Sequence, residues 1–205
     1  MAFDGVTLSN IVHELKQKTL GGRIDKIYQP EKDEINLNIR CFGENMKLLA
    51  TASASHPRLH LTRQSKPNPT QAPLFCMVLR KHLAGGKIVD IIQPHFERIV
   101  QIHIESPNEM GDRTVKKLIV EIMGKHSNII LTDANDVILD AAKRVSHETS
   151  AVREVLPGKI YAAPPNQGKL DPLLFDANQF HEVMAAGTAK ARDALYKTYN
   201  GLSPF

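Results

Sequence analysis

The sequence predicts an α+β fold: an antiparallel two-sheet β-sandwich with flanking helices, built from an internal helix-strand-strand-strand repeat. The repeat is visible in GGRIDKIYQP at 21–30 and GGKIVDIIQP at 85–94, which lie 64 residues apart and are identical at six of ten positions. Apolar and polar residues alternate in the runs after each copy, which favours antiparallel strands with one buried face. Two such sheets pack face to face.

Each copy of the repeat begins with a helix. Apolar residues at helical spacing precede both double glycines, over 8–15 and 74–83. Gly21 and Gly85 then follow the helices, where a left-handed C-cap costs little only for glycine. We expect each Gln-Pro pair to end the first strand, because proline has no N–H for the ladder. The remaining strands of the two copies are expected at 35–39, 46–53, 100–104 and 116–123.

The chain after the repeat changes character twice. Two further strands are expected at 127–133 and 136–141. The run PGKIYAAPPNQGKLDP, with four prolines and two glycines, then predicts an extended linker. Helical patterns follow over 172–186 and 188–199, before the final GLSPF. We therefore expect one domain over 1–170, and a linker with the start of a second domain over 171–205.

Composition narrows the class of protein. The chain has 205 residues, of which 42% are hydrophobic, enough for a core. No run approaches the roughly 18 apolar residues of a membrane helix. Asp4 stands where a secretory signal has a basic residue, and no apolar h-region follows it. Two cysteines are too few for a disulfide-stapled scaffold. These observations predict a cytoplasmic protein without a membrane span.

The positive charge is small but unevenly distributed. There are 26 Lys plus Arg against 22 Asp plus Glu, a net charge of +4. No acidic residue occurs between Asn45 and Val89, a stretch that contains seven lysines and arginines. Such asymmetry favours a polyanionic partner. On charge alone, Arg58, Arg80 and Lys81 are candidate contacts. An ordinary solvated surface explains these three charges equally well. For Arg80 and Lys81, a position at the end of a helix also explains the charge.

No residue pattern indicates catalysis or metal binding. The sequence has no CxxC or HExxH pattern for a metal, no GxSxG around a serine and no glycine-rich nucleotide loop. Cys76, between Phe75 and Met77, is expected to be a small buried apolar residue. We expect no catalytic site, no metal and no cofactor.

Two polar segments are candidates for binding. Glu97 and Arg98 open a predicted strand, and neighbouring strand residues point to opposite faces. The segment GKHSN at 124–128 lies between two strands and can offer backbone and side-chain donors to a phosphate. Its candidate side chains are Lys125, His126, Ser127 and Asn128. The alternatives are solvated strand-end charges and an ordinary hairpin loop.

Several ordered segments together resemble the NFACT family. They are MAFDG at 1–5, GGRIDKIYQP at 21–30, PRLHLT at 57–62, FCMVLRKHLAGGKI at 75–88, ERI at 97–99 and EIMGKHSNIILTD at 121–133. The resemblance covers about residues 1–170 as the N-terminal NFACT domain. The tail through GLSPF resembles the beginning of the helix–hairpin–helix domain that follows it.

This resemblance implies a role in ribosome-associated quality control. Bacterial members bind a large ribosomal subunit blocked by peptidyl-tRNA and recruit alanyl-tRNA, so that alanine tails mark the stalled chain. It also implies tRNA recognition by an Asp-Arg pair, which aligns with Glu97 and Arg98. Glutamate here moves the carboxylate out by one methylene. Arg98 could contact a phosphate or stack against a base.

The family resemblance raises two further hypotheses. The family's fold resembles the N-terminal domain of formamidopyrimidine-DNA glycosylase. That enzyme uses an N-terminal proline as the nucleophile and the following glutamate as the acid. This sequence has Ala2 and Phe3 at those positions, so no such catalysis is expected. Members from Gram-positive cocci are described as surface proteins that bind fibronectin or fibrinogen. An adhesin without a signal peptide, displayed at the cell surface by an unconventional route, is therefore the alternative function.

Overall fold

The protein is an α+β chain with one nine-stranded antiparallel sheet. The computed structural model describes residues 3–108, 110–150, 152–165, 168–185 and 190–203. The strands are β1 (Arg23–Glu31), β2 (Glu34–Cys41), β3 (Glu44–Thr51), β4 (Arg58–Thr62), β5 (Lys87–Ile92), β6 (Ile99–Pro107), β7 (Arg113–Glu121), β8 (Asn128–Thr132) and β9 (Ile138–Ala141). The helices are α1 (Gly5–Thr19), α2 (Leu74–Leu83), α3 (Ala177–Ala185) and α4 (Ala191–Thr198). The strand order is β4-β3-β2-β1-β5-β6-β7-β8-β9.

The structure has one sheet where the sequence predicted two. The first strands of the two copies pair with each other: the Gly21 N–H donates to the Ile88 carbonyl at 2.8 Å, and the Gly85 N–H donates to the Ile24 carbonyl at 2.7 Å. These bonds are reciprocal, as an approximate twofold axis between the halves requires. The resemblance to the glycosylase domain stays a prediction.

The internal repeat is confirmed, and the two halves exchange helix contacts. Helix α1 packs on β5 and β2, whereas α2 packs on β1 and β6. Leu15 of α1 and Leu79 of α2, at equivalent positions, are both fully buried. Strand β3 also contacts β8 from the other half, so one core joins both halves. The sequence analysis missed β4, which extends the first copy.

Two expected chain breaks differ in the structure. Strand β1 continues through Pro30 to Glu31, with an irregular register there, instead of ending at Gln-Pro. Part of the expected linker runs beside β9, where the Ile138 N–H donates to the Lys159 carbonyl at 2.8 Å. The left-handed glycines are confirmed, since φ is 81° at Gly21 and 75° at Gly85.

The C-terminal helices are shorter than expected, and residues 186–189 lie outside the described part of the chain. Ala2, on which the glycosylase comparison partly depended, also lies outside it. The segment 199–203 returns to the start of α1, where the Gly5 N–H donates to the Gly201 carbonyl at 2.6 Å. The domain boundary at residue 170 stays a prediction.

The structure bears on two further predictions, the absence of a membrane-spanning helix and the burial of Cys76. No helix among the described residues is long and apolar enough to cross a membrane. Cys76 is buried, and its thiol donates to the Ile27 carbonyl at 3.7 Å. Burial raises the pKa of this thiol, so the prediction of a small buried residue is confirmed.

Close packing against the end of α2 and against β6 makes Gly86 sensitive to any side chain. A β-carbon there would lie 2.7 Å from Ile104 Cγ2 and 3.0 Å from the Leu83 carbonyl oxygen. We expect Gly86→Ala to lower the free energy of unfolding by about 1–3 kcal/mol, the usual cost of overpacking, in urea denaturation. Val89→Ala, at an exposed position of β5 three residues further on, is the control and should change the free energy of unfolding by less than about 0.5 kcal/mol. Equal effects would contradict this account.

Candidate functional site

Arg98 lies where two shallow clefts meet at the start of β6. The first, of about 370 Å³, is lined by Arg98 together with His56, Arg58 and Gly124. The second, of about 340 Å³, is lined by Arg98 together with residues that include His126 and Arg153. We call the two together the Arg98 cleft. Its walls come from segments that are far apart in sequence, so only the fold brings these basic residues together.

The backbone around Arg98 is held from both sides. The Arg98 carbonyl accepts a hydrogen bond from the Ile122 N–H at 2.8 Å, which fixes it to the end of β7. Immediately before it, the 3-10 turn Pro94–Phe96 contains two residues with left-handed backbone, His95 at φ 48° and Phe96 at φ 57°. Such conformations are uncommon for residues other than glycine and often occur at functional sites. The turn leaves the Arg98 side chain exposed.

Glu97 points away from Arg98, towards the C-terminal segment. Its Oε1 accepts a hydrogen bond from Asn200 Nδ2 at 2.6 Å. Gln93 Nε2 donates to the Glu97 carbonyl at 2.9 Å and to the Gly5 carbonyl at 3.0 Å. The carboxylate that the family resemblance assigned to tRNA thus holds residue 200 against the turn that precedes Arg98.

The turn at 124–128 divides into exposed and buried halves. Lys125 and His126 are exposed. Ser127 and Asn128 are only 1% and 3% exposed. The Ser127 hydroxyl accepts from the Met123 N–H at 2.8 Å, and Asn128 Nδ2 donates to the Lys143 carbonyl at 2.8 Å. These two side chains stabilise the turn from inside, and their burial does not support the phosphate contact expected of them.

The three residues chosen on charge alone are separated by the fold. Arg58 lies in the Arg98 cleft, where its Nη1 donates to the His56 carbonyl at 3.1 Å. Arg80 instead donates from Nε to the Ile27 carbonyl at 2.9 Å. Lys81 lines a different cleft, which it shares with Lys116. Arg80 therefore has a structural role that its charge did not indicate.

A buried ion pair that the sequence analysis missed supports one wall of the cleft. Glu121, fully buried at the end of β7, accepts from Arg153 Nη1 at 2.8 Å, and Arg153 Nη2 bonds its other oxygen. The Tyr161 hydroxyl donates to Glu121 at 2.9 Å. Burial disfavours the charged guanidinium, but the hydrogen bond and charge of Glu121 outweigh it and raise the pKa of Arg153. Burial and the same carboxylate raise the pKa of Tyr161.

The electrostatic character of the Arg98 cleft follows from these neighbours. No Asp or Glu is among the described residues that line it. The described ranges also contain no group of three or more His, Cys, Asp or Glu side chains placed to hold a metal. With guanidinium and imidazole groups around it, the cleft is suited to binding an anion.

Asn200 offers a test of how the C-terminal segment supports this site. Its side chain is 6% exposed and donates to the Glu97 carboxylate. We expect Asn200→Ala to lower the free energy of unfolding by about 1.5–3 kcal/mol, because a hydrogen bond to a charged group is lost. Asn178→Ala, at an exposed position, is the matched control in urea denaturation. A loss no greater than that of the control would show that the Glu97–Asn200 bond contributes nothing.

Together these features define an α+β domain of two repeated halves with a basic cleft at one end of β6. The chain belongs to the NFACT family, since the model for the NFACT N-terminal and middle domains matches residues 4–205. This confirms the resemblance that the sequence motifs carried.

Curated relatives are much longer than this chain. The Rqc2 homolog RqcH of Bacillus subtilis is 45% identical over 205 residues, which are 100% of this chain and 36% of that protein. The Rqc2 homolog RqcH of Streptococcus pneumoniae D39 is 39% identical over 203 residues, 98% of this chain and 37% of that protein. The chain therefore spans little more than a third of these relatives.

Solved structures confirm the architecture. The N-terminal domain of the fibronectin-binding protein PavA from Streptococcus pneumoniae matches with a TM-score of 0.92 and 38% identity, covering 99% of this chain and 76% of that one. The fibrinogen binding protein from Staphylococcus aureus matches with a TM-score of 0.85 and 36% identity, covering 100% of this chain and 72% of that one.

Proposed function

We propose that this chain is the tRNA-binding and ribosome-binding part of a ribosome-associated quality-control factor. The observation that carries the proposal is the Arg98 cleft, where Arg58, Arg98 and His126 come together from distant segments and no described lining residue is acidic. The names of the bacterial Rqc2 homologs support it. The mouse ribosome quality control complex subunit NEMF, which is 25% identical over 99% of this chain and 18% of that protein, supports it as well.

The role proposed for this chain is recognition of tRNA. In this proposal it helps to recruit alanyl-tRNA to obstructed large ribosomal subunits, and alanine tailing belongs to the whole factor. The exposed Arg98 guanidinium pairs with a phosphate or stacks on an unpaired base, both of which its planar shape allows. Lys125 and His126, on the exposed half of the turn, contact neighbouring phosphates. We propose a binding site and no catalytic role.

A second candidate function is adhesion to fibronectin or fibrinogen at the cell surface. A specific surface feature favours a protein partner: Leu173, Leu174 and Phe175 are consecutive and 68%, 77% and 62% exposed. Large apolar side chains exposed together commonly mark an interaction surface. The two solved relatives are named as a fibronectin-binding and a fibrinogen binding protein, which supports the same ligands.

Salt dependence separates the two functions. If three phosphate contacts form in the Arg98 cleft, tRNA affinity should fall about 20- to 40-fold between about 50 and 200 mM salt. A fibronectin interface centred on apolar side chains should be less sensitive. Leu174→Ser should weaken fibronectin binding and leave tRNA binding unchanged. Absence of tRNA binding at about 50 mM salt, with saturable fibronectin binding at all salt concentrations, would favour adhesion.

A further inference from the structure

The two copies of the repeat each have a basic residue directly after the double glycine. These residues are Arg23 and Lys87, at equivalent positions of GGRI and GGKI. In the sheet they are directly opposite each other in the antiparallel pairing of β1 with β5. Like charges in this position are destabilising. On its other side Lys87 lies opposite Glu105 of β6, which offsets part of this cost. The pairing of Arg23 with Lys87 is still a departure from a local rule, and such departures are expected at functional positions.

The two side chains line a cleft at the junction of the halves. The cleft has a volume of about 500 Å³, and Gly21, Gly85 and Arg113 line it with them. Arg23 Nε donates to the Gly85 carbonyl at 3.0 Å, which leaves the Nη groups for a ligand. Across the axis, Lys87 Cε would lie 3.9 Å from a β-carbon at Gly21. Because both glycines lack side chains, a small ligand can approach the two cations closely.

The described residues that line this cleft neutralise its positive charge only in part. Its acidic residue, Glu105, pairs with Arg113 at 2.7 Å. Within the described ranges, neither Arg23 nor Lys87 has a carboxylate at ion-pair distance. Both side chains are exposed, so their charges are available to a bound anion.

We propose that this junction cleft binds a phosphate group of an RNA backbone, held by the Arg23 guanidinium and the Lys87 ammonium. The inference rests on the proposed RNA-binding function and adds a second contact to it. It is separate from the Arg98 cleft: Glu105 and Arg98 lie at opposite ends of β6, about 20 Å apart at the usual rise per strand residue.

The first experiment uses inorganic pyrophosphate as the probe and backbone amide NMR as the readout. Saturable shifts are expected at Gly21, Gly85 and Lys87, and they should be lost in the double variant Arg23→Gln/Lys87→Gln. Lys87→Gln alone keeps the Arg23–Gly85 hydrogen bond and should weaken the shifts. The control Lys18→Gln/Lys159→Gln removes two exposed lysine charges elsewhere. No saturable shift at millimolar pyrophosphate would overturn the site.

The second experiment identifies the source of the phosphate. In Arg23→Gln/Lys87→Gln, the slope of log affinity for tRNA against log salt should become shallower by about 1.4 to 1.8, as expected for two lost phosphate contacts. If the unaltered chain binds pyrophosphate but the double variant has the same salt slope for tRNA as the unaltered chain, the RNA contact is overturned and the cleft is a site for free phosphate. Absence of tRNA binding by the unaltered chain would contradict the proposed function, whereas the pyrophosphate result would still decide whether the site exists.

Discussion

Arg98→Ala is expected to weaken tRNA binding about 10- to 150-fold, with no change in the free energy of unfolding. The expected loss corresponds to about 1.5–3 kcal/mol for a hydrogen bond to a charged group. The fold should be unaffected because the side chain is exposed and the bond from the Ile122 N–H uses only the Arg98 carbonyl. Fluorescence anisotropy with labelled tRNA, alongside urea denaturation, measures both quantities.

Two further variants separate geometry from charge at this position. Arg98→Lys keeps the charge but loses the planar guanidinium, so it should retain only part of the affinity. Arg192→Ala, at an exposed arginine of α4, should weaken binding less than about threefold. Equal losses in Arg98→Ala and Arg192→Ala would show that binding depends on overall charge and has no site in the cleft.

Arg153→Met is expected to lower the free energy of unfolding by about 3–5 kcal/mol. The reason is that Glu121, which is fully buried, would lose its charged partner. This is a large part of the roughly 5–15 kcal/mol by which folded domains are stable. Urea denaturation monitored by circular dichroism measures the change.

The matched variant removes both charges. Glu121→Gln/Arg153→Met should recover most of the lost stability, because no unpaired charge stays buried and the Tyr161 hydroxyl still has an oxygen to bond. If Arg153→Met unfolds within about 1 kcal/mol of the unaltered chain, the ion pair does not hold this wall of the cleft.

The internal repeat made the halves of the fold predictable from sequence. Glycine positions and alternating residues are local signals, so α1, α2 and most strands could be placed. The pairing of β1 with β5 could not be predicted, because periodicity shows that a strand has a buried face but does not show which strand lies next to it. For the same reason the sequence predicted two sheets. Strand β4 lies at the edge of the sheet and buries only Leu59 among its five residues, so it has no clear alternation of apolar and polar residues to assign.

The residues of the candidate site could be predicted from sequence where they are exposed charged side chains. They could not be predicted where the role of a residue depends on whether its side chain is buried. Arg98 and the basic turn were named from sequence. Ser127 and Asn128 were not distinguishable from phosphate ligands, because small polar residues in a turn look the same whether they face solvent or bond the backbone. The Glu121–Arg153 pair spans 32 residues and has no local signal.

The most direct test of the central claim is site-specific photo-crosslinking on obstructed large ribosomal subunits supplied with tRNA. A photoreactive phenylalanine analogue replaces exposed His126 in the Arg98 cleft or, as control, exposed Lys18 on α1. The account predicts a crosslink to tRNA from position 126 that is absent from position 18 and reduced by Arg98→Ala. Crosslinks from position 126 to protein alone, or equal tRNA crosslinks from both positions, would contradict it.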